Sequence, residues 1–203
     1  MSISEWINET FFGMDASIFR FVNEMLNENP FIFKIARFVS YFGDHGYFFI
    51  ALGIILLLFR KTRKIGILMA LGLAFNHVIN NMIIKNLVAR ARPYDEVLEF
   101  KAMWEAHSNI VMDSYSFPSG HTSMAAAVGG ALFVMMNKKI SWLFLLIPLL
   151  MGWSRITLFV HYPSDVLFGL ITGTLSLVAA YFTAKLLYKW EFVQKLTTGD
   201  SLF

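Results

Sequence analysis

The sequence contains no cysteine and few charged residues. None of the 203 residues is Cys, which excludes disulfides, thiol nucleophiles and thiolate metal sites. Charged residues make up 15% of the chain, against about a quarter in a typical soluble domain, whereas hydrophobic residues make up 57%. The formal net charge is only +3, and the basic residues lie between apolar runs, so we expect no nucleic-acid partner. The composition therefore predicts a protein with several membrane-spanning helices.

The apolar runs predict an all-helical bundle that crosses the membrane about six times. A spanning helix needs about 20 mostly apolar residues. Four runs are clear, one is shorter but uninterrupted, and one carries several charges; in that order they are 46–60, 64–84, 140–158 and 166–188, then 121–136, then 17–42. The last is the least apolar and alternatively forms an amphipathic helix plus a shorter span. We expect a single domain over 1–203, beginning with an interfacial helix over 1–16, where Ser2 and Glu5 fit a capping box.

The distribution of lysine and arginine predicts the sidedness of the bundle. The connector RKTRK (60–64) is almost wholly basic, and 137–139 and the C-terminal tail add more lysines. The connectors 43–46 and 159–165 contain neither Lys nor Arg. Short basic loops stay in the cytoplasm. We therefore expect a protein of the cell membrane. With six spans, both termini and the basic connectors lie in the cytoplasm, and the connectors without Lys or Arg lie on the outer face.

Three polar stretches fall on this outer side, at the ends of different spans. They are KNLVARARP (85–93), SFPSGHTS (116–123) and SRITLFVHYPSD (154–165). Because the predicted topology brings them to one depth, we interpret them as parts of one site. Two of the stretches contain Lys or Arg, and two contain His. Together these side chains could bind an anion that has several oxygens.

The residue types in these stretches point to phosphate chemistry. A helix start at 118–120 offers free amides to an anion, and Gly120 lets the backbone approach while the Ser119 hydroxyl donates. Arginine and lysine side chains form charge-assisted hydrogen bonds with phosphate oxygens. The stretches contain three such candidates, Lys85, Arg92 and Arg155.

The two histidines and one carboxylate have the pattern for covalent catalysis. A neutral His161 can attack phosphorus if Asp165, four residues later, holds its other ring nitrogen. A protonated His121 can then give a proton to the leaving oxygen. The site needs no metal or cofactor in this interpretation, because the side chains supply the positive charge that an ion supplies in metal phosphatases.

The three stretches resemble the signature of the type 2 phosphatidic acid phosphatase superfamily, K-x6-R-P, P-S-G-H and S-R-x5-H-x3-D. The matching residues are Lys85, Arg92, Pro93, Pro118, Ser119, Gly120, His121, Ser154, Arg155, His161 and Asp165. The resemblance covers 85–165 and implies a metal-independent phosphatase with His161 as nucleophile, Asp165 as its partner and His121 as general acid. It also implies phosphate contacts from Lys85, Arg92, Ser119, Gly120, His121 and Arg155.

The small size is similar to that of bacterial phosphatidylglycerophosphate phosphatases, which often also accept undecaprenyl pyrophosphate. The expected substrates are therefore a phospholipid phosphate first and an isoprenoid diphosphate close behind, with the bilayer as surroundings and no obligatory protein partner. Two alternatives use the same cations: a carrier of anionic lipid phosphates, and a phosphotransferase with an acceptor other than water.

Several polar residues near the motifs have less defined roles. On the third span, His77, Asn80 and Asn81 favour interhelical hydrogen bonds over a substrate path. Arg90 either adds positive potential or pairs with a nearby acid. The segment 95–116 is interpreted as an interfacial helix that covers the site, with a loop resting on the bilayer as the alternative.

Overall fold

The protein is all-helical over the residues that the computed structural model describes, 1–197, which contain no strand. The α-helices are α1 (Ile3–Glu28), α2 (Phe31–Tyr41), α3 (Tyr47–Leu58), α4 (Arg63–Asn76), α5 (Lys85–Val88), α6 (Pro93–Glu96), α7 (Leu98–His107), α8 (Gly120–Met135), α9 (Leu146–Thr157), α10 (Pro163–Leu187) and α11 (Glu191–Leu196). Two 3-10 turns, Asp44–Gly46 and Ser141–Leu145, and a π-helical stretch, His77–Ile84, complete the elements. The predicted fold class is confirmed, whereas the single domain stays a prediction whose last residues, 198–203, lie outside the described residues.

Within residues 1–197, five helical stretches are candidates to cross a membrane. Three are long and apolar, and two are shorter; in that order they are Phe31–Leu58, Arg63–Glu96 and Pro163–Leu187, then Gly120–Met135 and Ser141–Thr157. The expected sixth span is absent from this set, because 17–42 is not one helix. Asn29 is the C-cap of α1 and Pro30 is the N-cap of α2, so the chain breaks in the middle of that range, as in the alternative of two segments.

The N-terminal helix α1 is longer than the interfacial helix expected over 1–16. It continues without a break to Glu28, and its capping box is formed by Ser2 and Glu5 as predicted. Buried residues recur along one face at helical spacing, and their neighbours come from α7 and from the connector before α10. Phe19, for example, contacts Phe100 and Phe159. This helix therefore packs across the end of the bundle where the 159–162 connector lies.

The segment 43–46, expected as a connector between two spans, is instead a break inside one helical stretch. His45 and Gly46 both have positive φ, 53° and 71°, and this left-handed pair separates α2 from α3. Helix α2 packs mainly on α9 and α3 on α4. Gly43 lies against Met151 and His121, so the break occurs where α8 begins.

Small residues let α8 and α10 approach closely. A Cβ atom on Gly169 would come within 2.8 Å of the Ser119 carbonyl oxygen, and one on Gly173 would overlap Ser123 and Ala126. Two small residues four positions apart allow helices to approach in this way. Because α8 begins at Gly120 and α10 at Pro163, the contact brings the second and third motifs together at one end of the bundle.

Candidate active site

A cavity of about 1170 Å³ lies at this end of the bundle. Its walls come from α2, the π-helical stretch, the segments 91–95 and 110–115, the start of α8 and the end of α9. Six of the eight predicted site residues line it: Lys85, Arg92, Gly120, His121, Arg155 and His161. The other two, Ser119 and Asp165, are fully buried behind the wall.

His161 sits at the floor of the cavity with 1% of its surface exposed. Its Nε2 atom is 3.0 Å from Nη1 of Arg92. Because a guanidinium has no acceptor, Nε2 must accept here, which assigns the ring proton to Nδ1. The pKa of His161 lies well below its ordinary value because burial disfavours the charged ring, and Arg92, Arg155 and Lys85 add to this effect. The imidazole is therefore neutral, with its lone pair towards the cavity.

Asp165 lies beside His161, as the four-residue spacing predicts. Its Oδ2 atom is 3.4 Å from Nδ1 of His161, which is close but does not make an aligned hydrogen bond. The carboxylate accepts instead from the Tyr162 amide at 2.9 Å, from Nη1 of Arg90 at 2.6 Å and from the Ser116 hydroxyl. Asp165 is not the N-cap of α10: it is the third helical residue and binds back to the amide of the N-cap, Tyr162.

Three cations surround the imidazole and are largely withdrawn from solvent: Lys85 is 9% exposed, Arg92 2% and Arg155 1%. Arg92 donates to the carbonyl oxygens of Ser114 and Val160 at 2.8 and 2.6 Å. Arg155 donates to the Ser40 hydroxyl at 2.5 Å, while its Nε atom has no partner. Among residues 1–197, none of the three forms an ion pair with a carboxylate.

A buried cation that forms no ion pair is costly, so this arrangement is suited to a bound anion. The cavity has room for one, and the unpaired Nε of Arg155 is a donor that such a ligand would satisfy. Forked guanidinium donors match the oxygens of phosphate in particular.

The first turn of α8 places the PSGH motif at the cavity wall. Ser119 is the N-cap of this helix: its hydroxyl accepts from the Thr122 amide and bonds to the Thr122 hydroxyl at 2.9 Å. The structure therefore uses this side chain to cap the helix and does not bring it into the cavity. Gly120 and His121 follow and do line the cavity, and Nε2 of His121 is 2.9 Å from Oδ1 of Asp44.

Two acids and one arginine outside the motifs belong to the site and were not assigned to it from the sequence. Asp44 comes from the helix break at 43–46. The sequence analysis used this segment only as a connector without Lys or Arg. Arg90 turns away from the cavity and pairs with Asp165 and, at 3.1 Å, with Asp15 of α1. The position of Arg90 two residues before Arg92 is a signal in the sequence, whereas nothing near Asp15 identifies its partner.

The polar face of the third span has two functions. Asn80 accepts from the Thr172 hydroxyl at 2.9 Å, which is the predicted interhelical hydrogen bond. Asn81 lines the cavity beside Lys85. Within 95–116, α7 packs against α1 through Phe100, and the cavity wall is formed by the residues that follow the helix, 110–115.

An apolar helical bundle that gathers two imidazoles and three buried cations around one cavity has the features of a membrane phosphatase. Comparison with known proteins agrees. Residues 62–189 match the PAP2 superfamily, and the chain belongs to this family of lipid phosphatases.

Curated relatives and solved structures support the assignment. The chain is 29% identical to the bacitracin transport permease protein BcrC of Bacillus licheniformis, over 86% of this chain and 83% of the relative. It is also 29% identical to the undecaprenyl-diphosphatase BcrC of Bacillus subtilis, over 79% of each chain. The fold is similar to the crystal structure of a PAP2-type phosphatidylglycerolphosphate phosphatase from Bacillus subtilis, with a TM-score of 0.69, 23% identity and coverage of 89% of this chain and 90% of that one.

Proposed function

We propose that this protein hydrolyses lipid-linked phosphates through a phosphohistidine at His161. The observation that carries the proposal is the neutral, buried imidazole with three buried cations around it and no carboxylate paired to them in residues 1–197. The phosphate of the substrate would supply the missing negative charge. Its oxygens would then take the donors of Arg92, Arg155 and Lys85, and Arg92 would release Nε2 of His161 for attack.

The reaction would proceed in two in-line steps. Nε2 of His161 forms a bond to phosphorus while the bond from phosphorus to the leaving oxygen breaks, and His121 gives that oxygen a proton. Water then attacks the phosphohistidine and loses a proton to His121, and the P–N bond breaks to release phosphate. Asp165 stabilises the positive charge that develops on the His161 ring, and the Gly120 backbone lets a phosphate oxygen approach the start of α8. This proposal gives Ser119 an indirect role, because its hydroxyl caps that helix.

Undecaprenyl diphosphate is the first substrate that we propose, because the curated relative with this activity in its name covers most of the chain. Phosphatidylglycerophosphate is the second, as the resemblance in size and motifs suggests. The cavity recognises phosphate through cations, so both lipids present the same group to it. The tails would remain in the bilayer, since the exposed side chains of Phe38 and Phe42 lie next in sequence to the cavity-lining residues Arg37 and Tyr41.

We propose that the cavity opens on the outer side of the cytoplasmic membrane. The basic connector 60–64 and the tail lie together at the opposite end, where Arg60 donates to the Lys195 carbonyl oxygen at 3.1 Å. Basic residues favour the cytoplasmic side. With five crossings, α1 would lie on the outer surface and the C-terminal tail in the cytoplasm, in place of the two cytoplasmic termini that six spans imply.

Phosphate release from purified protein in detergent tests the proposal. The panel contains undecaprenyl diphosphate, phosphatidylglycerophosphate and phosphatidic acid, each with EDTA present and with His161→Ala as the matched variant. We expect release from the first two, none with the variant, and a base-stable, acid-labile phosphoryl label on the wild-type chain. Release that needs a divalent metal, or that survives in His161→Ala, would refute the proposed mechanism.

A carrier function is the second candidate, because one relative is named as a transport permease. A carrier would move lipid phosphate between leaflets without a nucleophile. Lipid transfer in vesicles that is unchanged in His161→Ala, together with no phosphate release, would favour the carrier. Transfer of the phosphoryl group to an added alcohol with no release to water would favour the phosphotransferase.

A further inference from the structure

The break between α2 and α3 places a carboxylate on the histidine of the PSGH motif. Oδ1 of Asp44 is 2.9 Å from Nε2 of His121, and 77 residues separate the two in sequence. The Asp44 side chain is 42% exposed and lines the cavity, whereas the His121 side chain is 11% exposed. Asp44 lies outside the three motifs and outside residues 62–189, which match the PAP2 superfamily.

The neighbouring glycine makes this contact possible. A Cβ atom on Gly43 would lie 2.5 Å from Cδ2 of His121 and 2.9 Å from two atoms of Met151. The φ of Gly43 is −95°, so its backbone conformation is open to other residues, and the requirement here is for space. The chain therefore passes the imidazole at a distance that only glycine permits, and the next residue presents its carboxylate.

Asp44, Asp95 and Asp113 all line the cavity, although a carboxylate repels phosphate. Asp44 shares the wall with Arg92 and Arg155. These two cations oppose a positive charge on His121, whereas Asp44 favours one. The geometry gives the carboxylate a function that outweighs its repulsion of substrate: a hydrogen bond to the ring and a counter-charge for its protonated form.

We propose that Asp44 is the positioning residue of the general acid. It accepts the Nε2–H of protonated His121, which fixes the ring plane and leaves Nδ1–H for the leaving oxygen. Asp44 therefore acts on the leaving-group step and not on phosphate binding. This inference rests on the proposed function, since it assigns a partner to the acid of that reaction.

The test compares Asp44→Asn on two soluble substrates that differ in leaving group. An alkyl phosphate, such as a short-chain phosphatidic acid, needs a proton on its leaving oxygen, whereas p-nitrophenyl phosphate does not. The constant to compare is kcat/KM, because it covers only the steps up to phosphohistidine formation and excludes the later attack by water, which both substrates share. General acid catalysis contributes about 10² to 10⁴-fold, so kcat/KM for the alkyl phosphate should fall about 10²-fold or more. For the aryl phosphate, whose leaving oxygen needs no proton, kcat/KM should change less than about threefold.

Two further variants separate positioning from general effects. Asp113→Asn removes the same charge from another part of the cavity wall, and it should change both substrates by similar factors. Gly43→Ala displaces the loop from His121, and it should reproduce the selective loss of Asp44→Asn with the carboxylate still present. Asp44→Glu should restore part of the loss.

The outcomes distinguish this inference from the proposed function. If Asp44→Asn lowers both substrates equally, or lowers neither, Asp44 does not act through the acid, and the inference fails. The proposed function still stands in that case if phosphate release depends on His161. If His161→Ala leaves release unchanged, the proposed function fails, and the role of Asp44 fails with it.

Discussion

Arg90 and Asp165 form a buried ion pair with 2.6 Å between Nη1 and Oδ1. The same guanidinium donates to Asp15 of α1 at 3.1 Å and to the Ser164 hydroxyl at 2.8 Å, and it stacks 3.6 Å from the centre of the Tyr162 ring. The carboxylate beside His161 is therefore held from behind by a cation that never reaches the cavity.

This network predicts a distinctive effect of Arg90→Lys. A lysine keeps the charge but loses the fork that bridges the two carboxylates, so Asp165 should be held less firmly. We expect kcat to fall about tenfold, as for the loss of one hydrogen bond to a charged group, with KM nearly unchanged. Steady-state kinetics on a lipid phosphate measure both constants. A rise in KM with constant kcat would instead show that Arg90 contributes to phosphate binding.

Removal of the cation should cost more than its replacement. Arg90→Ala leaves the buried carboxylates of Asp15 and Asp165 without their cation, and breaking a buried ion pair in this way costs about 3–5 kcal/mol. Thermal unfolding in detergent measures the loss. Arg20→Ala is the matched control, since its ion pair with Glu99 is exposed and its loss should change the unfolding temperature far less.

Asp165→Asn should lower kcat by about 10⁴-fold, as when the carboxylate behind a catalytic imidazole is neutralised in a Ser-His-Asp triad. Folding should be retained, because an asparagine oxygen can still accept from the Tyr162 amide and cap α10. Ser116→Ala removes a donor to the same carboxylate and leaves its charge, so its loss should be far smaller. Equal losses in the two variants would contradict a charge effect on His161.

The pH profile should reflect the environment of His161. Its pKa is well below the ordinary 6.5, chiefly through burial and then through Arg92, Arg155 and Lys85. Attack requires the neutral ring, and a lowered pKa means that protonation sets in only at a lower pH. The acid limb of kcat/KM should therefore lie below pH 6.5. Replacing Arg92 by Gln should move this limb to higher pH, and a wild-type limb at or above 6.5 would contradict the assignment.

Vanadate should inhibit by occupying the position of the phosphoryl group, and its binding should depend on the guanidinium of Arg155. Arg155→Lys keeps the positive charge but loses the forked donors that can bind Ser40 and a ligand at the same time. Vanadate inhibition should weaken about tenfold or more, as expected for the loss of a charge-assisted hydrogen bond. Arg20→Lys, on the exposed surface of α1, should leave inhibition unchanged. Inhibition that is the same in both variants would place the anion elsewhere.

The sequence predicts the reacting side chains better than it predicts the helix breaks and contacts that position them. His161, Asp165, His121 and the cations are identifiable because their chemistry and spacing are local properties of three short stretches. A division of 17–42 was predicted only as the alternative, because apolar content was weighed over the whole of that range. The positive φ at His45 was not indicated by its residue type.

The supporting contacts depend on tertiary structure. Asp44 meets His121 across 77 residues, and Asp15 meets Ser164 across 149. Neither acid has a neighbour in sequence that identifies its partner. For Ser119 the motif was recognised from the sequence. Only the structure shows that its hydroxyl is hydrogen-bonded to Thr122.

The amide and hydroxyl of Ser164 both donate to Asp15, at 2.8 and 2.7 Å. These partners lie 149 residues apart, so α1 cannot make this contact until α10 has been synthesised. The buried network behind His161 is therefore completed late in the assembly of the bundle, after the helices between α1 and α10 exist.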